Sequence, residues 1–138
     1  MNILFICASN SVRSQMAEGW ARHLGDETIN VRSAGLQPFM VHPMAIHVMK
    51  EAGVDISRQR CRRVDDRVLS WADCVVTLAE IDKPISLNIP GHARHERWSI
   101  ANPDTLVSDA VTQEEAYRRI RDKIKEQVER WLRAAGKR

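Results

Sequence analysis

Five residues separate Cys7 from Arg13, and Ser14 follows directly, in the run Cys7-Ala8-Ser9-Asn10-Ser11-Val12-Arg13-Ser14. The thiolate is the nucleophilic form of cysteine, and a guanidinium grips two oxygens of an anion in a fork. The stretch between them is short enough for successive backbone N–H groups to converge on one point. Proteins hold tetrahedral oxyanions this way where a loop runs into a helix start. That field also favours the thiolate at Cys7. The residues therefore predict phosphoryl or arsenyl transfer through Cys7, with oxyanion contacts from Ala8, Ser9, Asn10, Ser11, Val12 and Arg13.

The flanking patterns supply the elements that must hold this loop. Ile3 to Ile6 is a short apolar run, read as a strand that delivers Cys7 to its end. From Ser14 onward Met16, Ala17, Trp20, Ala21 and Leu24 recur at helical spacing, with Gly25 as the stop. A second strand is expected over Thr28 to Arg32, ended by Ser33-Ala34-Gly35. Pro43 starts a helix through Ala45, Ile46, Val48, Met49 and Ala52, which Gly53 closes. A third helix is expected near Val64 to Trp71. Asp73 to Leu78 is nearly continuous and apolar, the mark of a strand buried on both faces. Pro84, Pro90 and Gly91 argue for loop, and Arg94 to Trp98 reads as a fourth strand. Thr112 to Glu115 matches a capping box before a last helix striped by Ala116, Ile120, Ile124, Val128, Trp131 and Leu132. This alternation predicts an α/β three-layer sandwich, a four-stranded parallel sheet with helices on both faces, as a single domain over residues 1–138. In such sheets the site lies beyond the carboxyl ends of the strands, where the Cys7 loop falls.

Composition narrows the function classes. The 138 residues include 28% charged and 43% apolar side chains, values of an ordinary globular domain. A net charge of +3 suits an anionic substrate, whereas the basic residues are too dispersed for a nucleic-acid surface. Their densest cluster, Arg58-Gln59-Arg60-Cys61-Arg62-Arg63, is short and reads as a solvated loop or helix edge. Three widely spaced cysteines form no disulfide framework, which points to a reducing compartment. With no readable signal peptide and no run near the ~20 residues of a membrane span, a cytoplasmic location without membrane contact is expected. His42, His47, His92 and His95 lack partners at ligand spacing, so neither a metal nor a cofactor is expected.

With these residues in place the sequence resembles the low-molecular-weight protein tyrosine phosphatase fold family, and within it the thioredoxin-coupled arsenate reductases. The resemblance rests on Cys7, Arg13 and Ser14, on the continuation Gln15-Met16-Ala17-Glu18-Gly19-Trp20, on Ser33-Ala34-Gly35, on Asp55-Ile56-Ser57 and on Asp73 through Leu78. It spans nearly the whole chain and implies a low-molecular-weight phosphatase-like fold. It also implies that Cys7 forms a covalent intermediate, that Arg13 binds the oxyanion and that Ser14 stabilises the Cys7 thiolate. Asn10 would fix the loop in a left-handed conformation, with Glu18 and Ser33 in support.

Departures from the family pattern leave the reaction open. The positions of the two relay cysteines that follow the third strand are Ala79 and Ser86, and a further cysteine within the loop is replaced by Val12. Cys74 reads as core. Cys61, before two arginines, is either an exposed thiol with a lowered pKa or incidental. The general acid of the phosphatases falls at Asn102, before Pro103; Asp104 is the nearest substitute, Asp109 a remoter one, and Asp104 equally reads as a turn residue. The aspartate of the reductases' potassium site is Arg62, whose guanidinium is expected to take the cation's place and tie down Glu18, unless Glu18 only decorates a helix. Phe39 is a pocket-wall candidate or a loop hydrophobe, and Tyr117 lies outside that region. The leading expectation is a cysteine-dependent phosphatase acting on phosphate monoesters, including phosphotyrosine. The alternatives are an arsenate reductase served by an external small thiol or glutaredoxin, and a binder of phosphate, arsenate or a phosphorylated partner with little turnover.

Overall fold

Residues 1–137 are described by the computed structural model, so the last residue of the expected domain lies outside them. Four strands, β1 (Asn2–Cys7), β2 (Asn30–Gly35), β3 (Cys74–Ala79) and β4 (Arg94–Ser99), form one sheet in the order β2-β1-β3-β4, all parallel. Helices α1 (Arg13–Leu24), α2 (Pro43–Glu51), α3 (Asp66–Trp71) and α4 (Gln113–Ala135) connect and flank it, with a 3₁₀ turn at Pro103–Leu106.

β1 is central, and its alternation sends side chains into two cores. Ile3, Phe5 and Cys7 share one core with Met16 and Trp20 of α1, Val48 of α2 and Ile120, Ile124 and Val128 of α4. Leu4 and Ile6 share the other with Val68 and Leu69 of α3 and Ile85 of the β3–β4 loop. Helices thus cover both faces, as the sequence pattern requires for strands buried on both sides.

β2 departs from its expected bounds. It begins at Asn30 and runs through Ser33-Ala34-Gly35, which pairs with Phe5-Ile6-Cys7. Those small residues end no strand; they continue it, because the loop of residues 8–12 passes directly over them. A Cβ on Gly35 would lie 2.6 Å from the Asn10 nitrogen. α3 starts two residues later than expected, where Asp65 accepts from the Val68 N–H. At α4 only half of the capping box forms: Thr112 Oγ1 accepts from Glu115 N–H, while the Glu115 carboxylate pairs with Arg119.

Candidate active site

β1 ends at Cys7 and α1 begins at Arg13, so residues 8–12 close a tight loop above the carboxyl edge of the sheet. The loop's carbonyls are taken by neighbours. Ala8 O accepts from Gln37 N–H at 2.9 Å, Ser9 O from Phe39 N–H at 3.1 Å and Ser11 O from His42 N–H at 3.0 Å. Asn10 O accepts from Gln15 Nε2 at 3.0 Å and from the Cys61 thiol at 3.1 Å. By contrast, among the described residues no acceptor takes an N–H of Ala8 to Val12. A loop whose carbonyls are all engaged and whose N–H groups are all available is an anion cradle.

Asn10 locks that shape. Among the described residues it is the one non-glycine residue with positive φ, at 52°, and it is fully buried. Its Oδ1 accepts from the Arg62 backbone N–H at 2.8 Å, which fixes the orientation of the amide. Nδ2 therefore faces Ser14 Oγ at 2.8 Å and Ser33 Oγ at 2.9 Å. Because Ser14 Oγ accepts from Asn10, its single proton is free to point at Cys7 Sγ, 2.9 Å away. Ser33 in turn donates to Glu18 Oε1 at 2.6 Å, and Glu18 Oε2 meets Arg22 at 2.8 Å. A continuous chain of side chains links Arg22, through Glu18, Ser33, Asn10 and Ser14, to the Cys7 sulfur.

Arg13 is buried at the first turn of α1. Its Nη1 donates to Ile100 O at 2.9 Å and to Glu80 Oε2 at 3.3 Å. Nε and Nη2 carry no protein partner among the described residues and neither is sealed from the pocket, so one fork of the guanidinium remains for an oxyanion. Glu80 also accepts from Asn102 N–H at 3.0 Å. Burial would raise the Glu80 pKa, but the N–H donors and Arg13 outweigh it and hold the carboxyl below its ordinary range. Glu80 escaped the sequence reading because it lies 67 residues from Arg13 and joins it only through the end of β3.

A pocket of about 290 Å³ opens over Cys7, Ser9, Ser11, Val12 and Arg13, and Phe39, His42, Asn102 and Asp104 form its rim. Phe39 is both of the things expected of it, a largely exposed loop hydrophobe and a wall of the pocket. Asp104 also combines two roles. Its N–H is capped by Asn102 Oδ1 at the start of the 3₁₀ turn, while its carboxylate accepts from Tyr117 Oη at 2.9 Å. Tyr117 itself is fully buried and does not line the pocket; it meets the rim only through Asp104, because α4 folds back beneath the Pro103–Leu106 turn. Burial and the neighbouring Asp104 push its pKa up, so the phenol stays a donor. Asp109 does not line the pocket.

Other expectations need correction. Arg62 does not tie down Glu18: its backbone serves Asn10, and Arg22, one helical turn along α1, is the cation on Glu18. Cys61 is half-buried, and desolvation raises its pKa, which goes against the reading of an exposed thiol with a lowered pKa and agrees with the incidental one. Cys74 sits in the sheet core with its pKa pushed up to about 11 by burial. His47 approaches Glu51 and Glu114 closely enough to form a ligand-like triad, but Glu51 is already gripped by Arg118 and Arg121.

A cysteine under an N–H cradle, on a four-stranded parallel sheet, defines a thiol-based oxyanion-transfer fold. The low molecular weight phosphotyrosine protein phosphatase family model matches residues 2–138, and the chain belongs to that family. It is 40% identical over 130 residues to an arsenate reductase of Bacillus licheniformis, covering 94% of this chain and 93% of that protein. An arsenate reductase of Staphylococcus aureus strain N315 is 39% identical over 132 residues, covering 94% of each. Among solved structures, an arsenate reductase in the phosphate binding state superposes with a TM-score of 0.79 at 34% identity, over 96% of this chain and 97% of that one. The YwlE arginine phosphatase from Geobacillus stearothermophilus, at 22% identity and a TM-score of 0.76 over 98% of this chain and 92% of that one, shares the fold. These likenesses favour the reductase alternative over the phosphatase reading. Among the described residues no helix is long and apolar enough to cross a membrane.

Proposed function

We propose that this protein reduces arsenate to arsenite through a Cys7 adduct and draws its electrons from an external thiol. One observation carries the reading: the loop cradles an oxyanion against Cys7, yet no second protein thiol is presented to the pocket. Cys61 hydrogen-bonds to the back of the loop, and Cys74 lies within β3. The position after Leu78 is Ala79, so an internal relay has no starting point.

In the proposed sequence the Cys7 thiolate, stabilised by the Ser14 hydroxyl, attacks arsenic and expels a protonated oxygen as water. The loop N–H groups and the free fork of Arg13 hold the remaining oxygens. An external thiolate then attacks Cys7 Sγ. A sulfur–sulfur bond forms, the sulfur–arsenic bond breaks, and its electron pair stays on arsenic, which leaves as arsenite. A second external thiol resolves the mixed disulfide and restores Cys7. Two thiols thus supply the two electrons that arsenic accepts.

The test is arsenite production by the purified protein with arsenate and either glutathione plus glutaredoxin or thioredoxin with its reductase. Turnover with at least one system, abolished in Cys7→Ser and retained in Cys61→Ser, is expected. Arsenite production that survives Cys7→Ser, or none with any thiol, refutes the proposal. Asp104 favours phosphate-monoester hydrolysis as a second reading, since its carboxylate is at the pocket rim with Tyr117 holding one oxygen. Hydrolysis of p-nitrophenyl phosphate that falls ~10²-fold or more in Asp104→Asn would establish that reading.

A further inference from the structure

A cleft larger than the pocket over Cys7 exists elsewhere in the molecule. It lies behind the loop, between α1, β2 and the segment 53–62, with a volume of about 570 Å³. Three separate stretches of chain send arginines to it: Arg22 from α1, Arg32 from β2, and Arg58, Arg60 and Arg62 from the loop before α3. Glu18 and Asp55 are its acids. Five arginines against two carboxylates leave +3, as much as the formal charge of the whole chain.

The two acids do not neutralise the rest of the cleft. Glu18 is buried in its bonds to Ser33 and Arg22. Asp55 is occupied by Ser57 at its own turn. Arg32 lies over Trp71, with its guanidinium carbon 4.3 Å from the ring centroid, and its guanidinium takes part in no hydrogen bond or ion pair among the described residues. The guanidinium groups of Arg60 and Arg62 take part in no hydrogen bond or ion pair among the described residues. With Glu18 spent on Arg22, four arginines face the single carboxylate of Asp55; that excess of like charge opposes folding, and an anion that bridges the arginines relieves the repulsion. Guanidinium forks match the paired oxygens of phosphate groups, and several forks in one cleft favour an anion with several phosphates.

We propose that this cleft is a second anion site, separate from the catalytic loop, that binds a small compound bearing two or more phosphate groups. The site is also wired to the loop. Arg22, whose Nη1 meets Glu18 and whose Nη2 donates to Val31 O at 2.9 Å, belongs with Glu18 to the chain of side chains that ends at Ser14 and Cys7, so an anion that draws Arg22 from these bonds acts on the same network.

The experiment titrates inorganic tripolyphosphate calorimetrically into the full protein with orthophosphate already saturating the catalytic loop. One further saturable event per chain is expected, weakening steeply with salt. The Arg58→Gln/Arg60→Gln double variant should bind tripolyphosphate at least tenfold more weakly while still binding orthophosphate. Thermal unfolding of the variant in the absence of anions should occur no lower than in the parent, because like-charge repulsion has been removed. Absence of a second event overturns the proposal, as does equal tripolyphosphate affinity in the double variant. Binding of many tripolyphosphates per chain, or of RNA in their place with higher affinity, also overturns it. Loss of orthophosphate binding by the parent would strike the catalytic reading, not this one.

Discussion

Replacing Asn10 separates the two things that hold the catalytic loop, its left-handed backbone and its buried amide. Asn10→Ala removes three hydrogen bonds, those that Nδ2 donates to Ser14 Oγ and Ser33 Oγ and the one that Oδ1 accepts from the Arg62 N–H. Each such loss costs about 1 kcal/mol. An alanine at φ 52° adds about 1 kcal/mol of backbone strain, for a total near 4 kcal/mol. Asn10→Gly loses the same three bonds but carries no strain, so it should cost about 3 kcal/mol. The usual ranking, in which alanine is the more stable of the two, is reversed here. Urea unfolding at neutral pH reads both values from the midpoint at constant m. Both variants should also slow alkylation of Cys7 by iodoacetamide, because Ser14 loses the donor that aims its proton at the sulfur. A cost below about 1 kcal/mol for Asn10→Ala, or an Asn10→Ala protein more stable than Asn10→Gly, would refute this account of the loop.

Gly35→Ala should cripple the loop from below: its Cβ would meet Asn10 N at 2.6 Å and Ser9 C at 2.9 Å, backbone atoms that cannot swing aside. A stability loss of about 1–3 kcal/mol and loss of orthophosphate protection against alkylation are expected, with urea melts and iodoacetamide kinetics as the readouts. Glu80→Gln tests the pairing with Arg13. The Glu80 carboxyl is held below its ordinary 4.5 in the folded state, so its contribution is present above that pH and disappears as pH falls through the folded value. The gap in urea midpoint between parent and Glu80→Gln should therefore be constant near neutrality and close on acidification; a gap that widens in acid contradicts the assignment. Finally, mass mapping after limited iodoacetamide treatment near pH 8 should find Cys7 modified first, Cys61 slowly and Cys74 only after unfolding, since burial raises the pKa of both Cys61 and Cys74.

The sequence by itself determined the sheet, its helices and the loop from Cys7 to Arg13. Those features are written locally: an apolar run before Cys7, helical spacing after Ser14, and five residues between thiol and guanidinium. The left-handed conformation of Asn10 was an expectation carried by the family resemblance, and the structure shows it at φ 52°. Tertiary structure alone decided what surrounds that loop. Glu80 reaches Arg13 because β3 lies beside β1, and Tyr117 reaches Asp104 because α4 returns under the turn that follows β4. Nothing in local spacing encodes either meeting. The partner of Glu18 shows the limit clearly: alignment of motifs points to Arg62, but an arginine one helical turn away wins, because helix geometry places it there without any loop having to bend. The arginine cleft has the same origin. Its charges are dispersed along the chain from residue 22 to residue 62, and only the packing of α1, β2 and the loop before α3 gathers them into one place.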